Sequence, residues 1–323
     1  MSDAILILAE HLRGEIAEIT YEMLGAGRKM AEARQVPLYA ALLGQDVAPL
    51  AAKLGVADKV FVIENPQLAM AAADTLAALL KRLVEEQHVA VVLLGGTNVS
   101  MGIGSILSAR TKLPFVNFCK NIQCAGGAIT LTSQLFGGKI LSDTCLASGR
   151  GIISVYPGAF AADAGKSERA PTIEKLDLPV EPAKISFRKF IEPEAGDVDI
   201  TKQTVLVAVG RGIQTQDNIA LAEDLAGVLG GAVCASRPVI DQGWLPLSRQ
   251  VGKSGMTVKP RLYVALGVSG APEHWEGMQA AQLIIAINTD PKAPIFDGAH
   301  YGVCGDALEL APVLTDKLKA RKA

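Results

Sequence analysis

The sequence predicts an α/β protein of two domains, each built on a mostly parallel sheet covered by helices on both faces. Three observations carry that expectation. The chain has 323 residues, half of them apolar and a fifth charged, which is enough for two buried cores and too apolar for a disordered chain. Short, nearly continuous apolar runs alternate with helical stretches, the pattern of strands buried on both faces. In the second half, small and polar residues fall just past the end of one apolar run after another.

The elements follow in order. Ala4–Ala9 reads as a buried strand and Glu15–Gln35 as a helix. Pro37–Leu43 is a strand, Val47–Leu54 a short helix and Lys59–Ile63 a strand. Gln67–Gln87 is a long Ala- and Leu-rich helix, and Val89–Leu94 is a strand closed by Gly95 and Gly96. Strand and helix alternating in this way argue for a parallel sheet in a three-layer domain. After Leu113 the pattern changes. Extended segments at Pro114–Cys119, Ala128–Leu135 and Gly151–Tyr156 lie between Gly-rich turns and read as an antiparallel or mixed extension of the same sheet. From Ala161 to Val198 the chain is rich in Pro, Glu, Asp and Lys, and periodicity is weak. Ser186–Ile191 reads there as a single exchanging strand and Glu192–Asp199 as a linker. The expected domains are therefore 1–195 and 196–323.

The second half repeats strand, loop and helix. Thr204–Val209 is a strand ended by Gly210, Arg211 and Gly212. A helix runs from Asp217, with Leu221, Leu225 and Leu229 on one face and Gly230-Gly231 as its stop. Ala232–Ala235, Leu262–Val268, Leu283–Ile287 and Tyr301–Cys304 are strands, and a last helix follows. Ser236 and Arg237, Ser269 and Gly270, Asn288, and Asp306 with Gly305 stand just beyond them. In an open parallel sheet those strand ends share one edge, where ligands bind. Glycine lets backbone approach a ligand closely, and helix starts favour phosphate. A doubly wound sheet with a nucleotide-type ligand at that edge is the expectation.

Other classes are disfavoured. Lys and Arg number 31 against 33 Asp and Glu, a net charge of −2, which argues against a nucleic-acid binder working through a broad basic field. Five widely spaced cysteines with no CxxC pair fit neither a disulfide framework nor structural zinc, and read as small hydrophobes in a reducing compartment. The N-terminus, MSDAILILAEHLRGEIAE, lacks the basic region of a signal peptide and the Arg-rich, acid-poor composition of a transit peptide. No apolar stretch approaches a membrane span, so a cytoplasmic protein is expected. Gly210–Thr215 and Gly102–Leu107 lack the third glycine of GxGxxG. Gly252-Lys253-Ser254 lacks the leading glycine of a P-loop, and Gly267–Ala271 is not GxSxG. Taken singly, His274 after Pro272-Glu273 also reads as a capping or surface histidine. Asp306 with Glu309 also reads as a capping box, and Arg237 as a solvated loop residue.

Five segments share a more specific pattern: VGRGI at 209–213, ASRPVIDQGW at 235–244, RQVGKSG at 249–255, ALGVSGAPEHWEGM at 265–278 and AINTDPKAPIFDGAHYGVCGD at 286–306. In order and spacing the stretch resembles the alpha subunit of electron transfer flavoprotein. The first half matches the N-terminal domain of that family in length and layout. The resemblance implies a heterodimer with a beta subunit, contacted through residues 1–195, and one FAD in residues 196–323. It implies electron shuttling from a dehydrogenase, by default of the acyl-CoA dehydrogenase type, to another redox protein such as a membrane quinone reductase or a ferredoxin. Carried over by motif, Arg211, Ser236, Arg237, Gln250, Val251, Gly252, Lys253, Ser254, Ser269, Gly270, Ala271, Pro272, Glu273, His274, Asn288 and Asp306 would line the FAD. Arg237, Ser254 and His274 would lie near the isoalloxazine, Asn288 and Asp306 toward the adenosine. Lys253 stands where Gln is usual, Ser254 where Thr is, Pro272-Glu273 for Ile-Gln, and His300 for Asp. These departures are similar to the anaerobic, electron-bifurcating branch, in which a second flavin, AMP or NADH site would belong to the beta subunit. A fixed Arg237 cation, with the helix start at His274, would favour negative charge on the reduced flavin. A charge at about 4 Å is worth about 4 kcal/mol at an effective dielectric near 20, or ~170 mV for one electron. An NAD-dependent oxidoreductase with an atypical loop, or a non-catalytic nucleotide-binding subunit, would use the same edge.

Overall fold

The computed structural model describes residues 3–322 apart from 126, 182–184, 186 and 189–196. They fall into two compact units, Met1–Lys189 and Phe190–Ala323. The expected boundary at 195/196 lies outside the described residues. So does most of the Ser186–Ile191 strand and the Glu192–Asp199 linker.

The first unit runs β1 (Ala4–Leu8), β2 (His11–Leu12), β3 (Glu15–Ile16), α1 (Glu18–Arg34), β4 (Leu38–Gly44), β5 (Lys59–Glu64), α2 (Ala73–Glu86) and β6 (Val89–Gly95). It continues through α3 (Ile103–Thr111), β7 (Phe115–Ala125), β8 (Ala128–Leu135), β9 (Ile140–Leu146), β10 (Gly151–Val155) and β11 (Thr172–Lys175). One sheet takes the order β11-β5-β4-β1-β6-β10-β7-β8-β9. It is parallel from β11 to β7 and antiparallel from β7 to β9. Both faces of β1 are buried: Ile5 and Ile7 pack toward α1, Leu6 and Leu8 toward α2 and α3. That two-sided burial is why its sequence is an unbroken apolar run.

Several elements differ from expectation. The helix expected from Glu15 starts at Glu18, because Arg13 and Gly14, both at positive φ (53° and 79°), turn β2 back onto β3 in the geometry of a tight hairpin. The helix expected over Gln67–Gln87 is broken, with a single 3₁₀ turn at Pro66–Leu68 and α2 starting after an extended Ala72. Alanine fits either conformation, so an Ala-rich run hides such a break. Helix α3 buries only Ile103, Gly104 and Leu107, too few to show a period. Strands β9 and β11 lie at the two edges and carry the polar residues that edges tolerate.

The second unit runs β12 (Val205–Val209), α4 (Ile219–Leu229), β13 (Ala232–Ala235), α5 (Arg237–Asp241), β14 (Leu262–Leu266), α6 (Pro272–Met278), β15 (Leu283–Asn288), β16 (Tyr301–Cys304) and α7 (Ala307–Lys322). Its sheet is parallel throughout in the order β13-β12-β14-β15-β16. Val207, Val209, Val264 and Leu266 face α4 and α7. Leu206, Ala208, Tyr263 and Ala265 face Val251, Met278 and Ile295 on the other side. Helix α4 buries Ile219, Ala222, Leu225 and Ala226, with Leu221 and Leu229 only half buried. Gly230, at φ 71°, caps it by donating its N–H back to the Ala226 and Gly227 carbonyls. The order of strands reverses between β12 and β14. That reversal opens a crevice at their carboxyl ends.

Candidate cofactor-binding site

The crevice is shaped by backbone packed on backbone. The Gly212 N–H donates to the Gly267 carbonyl at 3.1 Å, and the Gly210 N–H to the Leu266 carbonyl at 2.9 Å. A Cβ at Gly267 would sit 2.7 Å from the Gly212 Cα, and one at Gly210 would sit 2.2 Å from the Gly267 oxygen. No side chain fits between these two loops. Above them opens a cavity of about 880 Å³. All but three of the sixteen residues expected in the cradle line it.

The loop after α5 forms one wall. Val251 donates its N–H to the Ala235 carbonyl at 2.9 Å, and Met256 to that of Gln250 at 2.7 Å. Lys253 donates its N–H to the Glu273 carbonyl at 2.7 Å, which straps the loop to α6. Gly252 is at φ +137°, and a Cβ there would lie 2.8 Å from that same Glu273 oxygen, so only glycine serves. Gln250 Nε2 donates to Ser254 Oγ at 2.9 Å, which leaves the serine hydroxyl hydrogen for another acceptor. On the opposite wall Asn288 Nδ2 donates to the Val268 carbonyl at 2.9 Å, and its Oδ1 accepts from the Asp290 N–H at 2.9 Å. Asn288 thus fixes the Val268–Ala271 loop against β15.

The electrostatics are milder than the residue types imply. Arg237 opens α5, and its Nε lies 3.4 Å from Asp241 Oδ2, both side chains being well exposed. Lys253 Nζ lies 3.7 Å from Glu276. His274 is buried, with Nδ1 at 3.1 Å from the Val251 carbonyl and Nε2 at 2.9 Å from the Tyr263 hydroxyl. Burial, opposed by the Val251 carbonyl, pushes its pKa down to about 4. His274 therefore brings an uncharged ring to the cavity at neutral pH.

Three expected residues lie outside the lining. Gly270, at φ +79°, turns toward Ile295, whose backbone nitrogen would be 2.3 Å from its Cβ. Pro272 occupies the first turn of α6, where a missing N–H costs nothing. Asp306 caps α7: its Oδ1 accepts the Leu308 N–H at 2.8 Å and its carbonyl the Leu310 N–H at 3.0 Å. His300 closes the sheet edge by accepting the Ile284 N–H at Nδ1, 3.0 Å away. The cavity also includes Gly212, Pro238, Asp241, Gly267, Val268, Asp290, Ala293 and Pro294. Each of these lies within a segment that carried the resemblance or one residue from a strand end. Asp241, at i+4 from Arg237, is the one whose charge a helical reading of α5 would have revealed.

The comparisons with known proteins cover the same ground. The electron transfer flavoprotein FAD-binding domain family matches residues 199–279, and the electron transfer flavoprotein domain family residues 5–181. The chain is 35% identical to the acryloyl-CoA reductase electron transfer subunit beta of Anaerotignum propionicum, covering 98% of this chain and 96% of that one. It is 30% identical to electron transfer flavoprotein subunit alpha of Bacillus subtilis, over 99% and 98%. It is 34% identical to subunit LctC of the lactate dehydrogenase (NAD(+),ferredoxin) of Acetobacterium woodii, over 96% and 75%. With its domain layout, its switch-point cavity and these relatives, the chain belongs to the electron transfer flavoprotein family, as an FAD-binding subunit of the alpha type.

Proposed function

We propose that FAD lies in the cavity at the β12–β14 edge and that electrons pass through it between a dehydrogenase and a second redox protein. The single observation that carries this reading is the convergence of four loops on one cavity of about 880 Å³, within the range of large-ligand sites. The residues fit the group. Gly212, Gly252 and Gly267 supply backbone where a Cβ would collide, and Arg237 and Lys253 supply positive charge. Ser254 supplies a hydroxyl hydrogen. FAD, when bound, accepts and donates the electrons. The chain's own part is to hold and orient it. Gln250 sets the Ser254 hydroxyl, Asn288 holds the loop at Val268–Ala271, and Arg237 biases the site toward negative charge.

The family pairs this subunit with a beta subunit. We place that contact on the first unit. The exposed Leu135, Phe136, Ile140 and Leu141 at the turn between β8 and β9 support this. The names of two relatives, one an acryloyl-CoA reductase subunit and one an NAD(+),ferredoxin lactate dehydrogenase subunit, support an acyl-CoA dehydrogenase type of partner and a bifurcating complex with ferredoxin. Among the described residues no helix is long and apolar enough to cross a membrane. Five free cysteines support a reducing, cytoplasmic setting.

The test is co-expression with the neighbouring beta subunit and a flavin count per heterodimer. A yellow heterodimer with FAD in this chain is expected. A colourless preparation whose melting shifts with NAD, or one that takes only AMP, would overturn the reading. Arg237→Ala is expected to lower the flavin potential. Exposure and Asp241 reduce the effect from ~170 mV to ~40 mV, the value for about 1 kcal/mol at a water-like dielectric. Asp241→Asn is expected to raise it. Redox titration of both variants checks the pair, and an unchanged potential in Arg237→Ala removes that residue from the mechanism.

A further inference from the structure

We propose that Tyr263 is a positioning residue for the flavin site: it fixes the single proton of His274 on Nδ1, so that the ring meets the cofactor without an N–H or a charge. The proposal rests on the FAD reading above for its consequence, though not for its geometry.

Tyr263 does not line the cavity. It is fully buried on β14, on the face that packs under α6. A phenol in that position must find a partner for its hydroxyl. The partner is His274 Nε2, at 2.9 Å. The direction of each bond follows from the end of the chain. The Val251 carbonyl, 3.1 Å from Nδ1, can only accept, so Nδ1 carries the proton. In the neutral ring Nε2 then holds a lone pair, and the Tyr263 hydroxyl must donate to it. The phenol oxygen is left to accept, and Cys234 Sγ stands 3.8 Å away as a donor. Cys234 and Tyr263 are both buried to the last percent. The opposite tautomer would set the Nδ1 lone pair against the lone pairs of Val251 and is excluded.

The relay has two consequences at the cavity. It holds the Val251 carbonyl, and with it the Gly252–Ser254 wall, to the start of α6. It also decides what His274 presents. The titratable groups around the ring are Cys234 and Tyr263 from the sheet, Glu273 and Glu276 from α6, and Lys253 from the loop, the last paired with Glu276 at 3.7 Å. With Tyr263 donating, the ring has no free lone pair with which to bind a proton. Without that donor the nitrogen is left buried and unpaired in the neutral ring, while burial still disfavours the charged one.

The chain has four histidines, so histidine-selective ¹⁵N labelling of this subunit in the heterodimer reads the tautomer directly, with His274→Gln assigning the signal. Wild type is expected to show His274 neutral, protonated on Nδ1, from pH 8 down to pH 5. Tyr263→Phe keeps the ring and deletes the donor. Its unprotonated nitrogen is expected to move to the position of an unbonded one. Its ring is expected to stay neutral over the same pH range, because burial disfavours the charged form. Cys234→Ala is expected to leave both readouts in place. A wild-type His274 protonated on Nε2, or titrating near its ordinary value, overturns the proposal, as does a Tyr263→Phe spectrum identical to wild type. If the phenylalanine variant fails to fold, the wild-type tautomer and titration decide alone. The same spectra recorded after flavin removal separate this proposal from the FAD reading, which fails instead by the flavin count.

Discussion

Replacing Gly267 by alanine is expected to empty the flavin site and to cost about 2–5 kcal/mol of stability in the second unit. Two terms add. Gly267 sits at φ +61°, where a side chain costs about 1–2 kcal/mol through its contact with the following carbonyl. The new Cβ would then stand 2.7 Å from the Gly212 Cα and 2.8 Å from its carbonyl carbon. These are backbone atoms of the facing loop and cannot rotate away, so forced separation adds roughly 1–3 kcal/mol. Gly243→Ala separates the terms. Gly243 has φ +73° with nothing within 4 Å of its Cβ, so it should lose only the first, about 1–2 kcal/mol. Thermal melts of the two variants and their flavin content form the test. Gly212→Ala should also empty the site but lose only the contact term, because Gly212 is not at positive φ. The double variant should cost less than the sum, because both methyl groups press on one contact. Were Gly267→Ala to keep full flavin with a melt no worse than Gly243→Ala, the backbone contact at β12 and β14 would not shape the site.

That contact also shows what was legible in the sequence. The strands of the second unit were readable because each is a short apolar run ended by a small or polar residue. Their parallel order placed Arg211, Ser236, Ser269 and Asn288 along one edge before any coordinates. In sequence Gly267 reads as part of an incomplete GxSxG and of the 265–278 segment, with nothing to show its backbone contact. A glycine that makes room for backbone looks the same in sequence as one that makes a turn. Asp306 and Gly270 carry two readings each. Each follows or nears a strand end, as ligand-facing residues do, yet one caps α7 and the other packs on Ile295. His274 was placed near the cavity, but its bonding was hidden. Val251 and Tyr263, its two partners, are 23 and 11 residues away, and no local pattern links them. In the first unit β11 was missed because Thr172–Lys175 is a polar edge strand whose pairing with β5 spans more than a hundred residues.

Asp197→Ala is expected to destabilise the second unit by about 2–3 kcal/mol at neutral pH and to loosen the cavity wall. Asp197 accepts from Arg249 Nε at 2.6 Å, from the Ser248 hydroxyl and from the Val198 N–H at 2.8 Å. Both charged side chains are largely buried, at 17% and 11% exposure. Removing the carboxylate leaves Arg249 with the Val233 carbonyl at 2.7 Å and no countercharge, the costly half of a broken buried pair. Arg249 immediately precedes Gln250, so the anchor of the Gln250–Ser254 wall moves with it, and flavin retention should fall. The pH dependence has a definite sign. Burial raises the Asp197 pKa, but the bonds from Arg249, Ser248 and Val198 outweigh it and hold the carboxyl below its usual range. A depressed folded value means the contribution is fully present above the unfolded pKa of about 3.9 and is lost as pH falls through the folded one. Wild type and Asp197→Ala should therefore differ most in urea denaturation at pH 6–7 and converge below about pH 4. Asp199→Ala is the contrast. Its pair with Lys202 is exposed, at 49% and 82%, and should contribute under about 1 kcal/mol. Its carboxylate also accepts from the Thr201 N–H, so its loss should appear mainly as fraying at the entry to the unit. Equal losses in the two variants would mean that the Asp197–Arg249 pair does not anchor the wall.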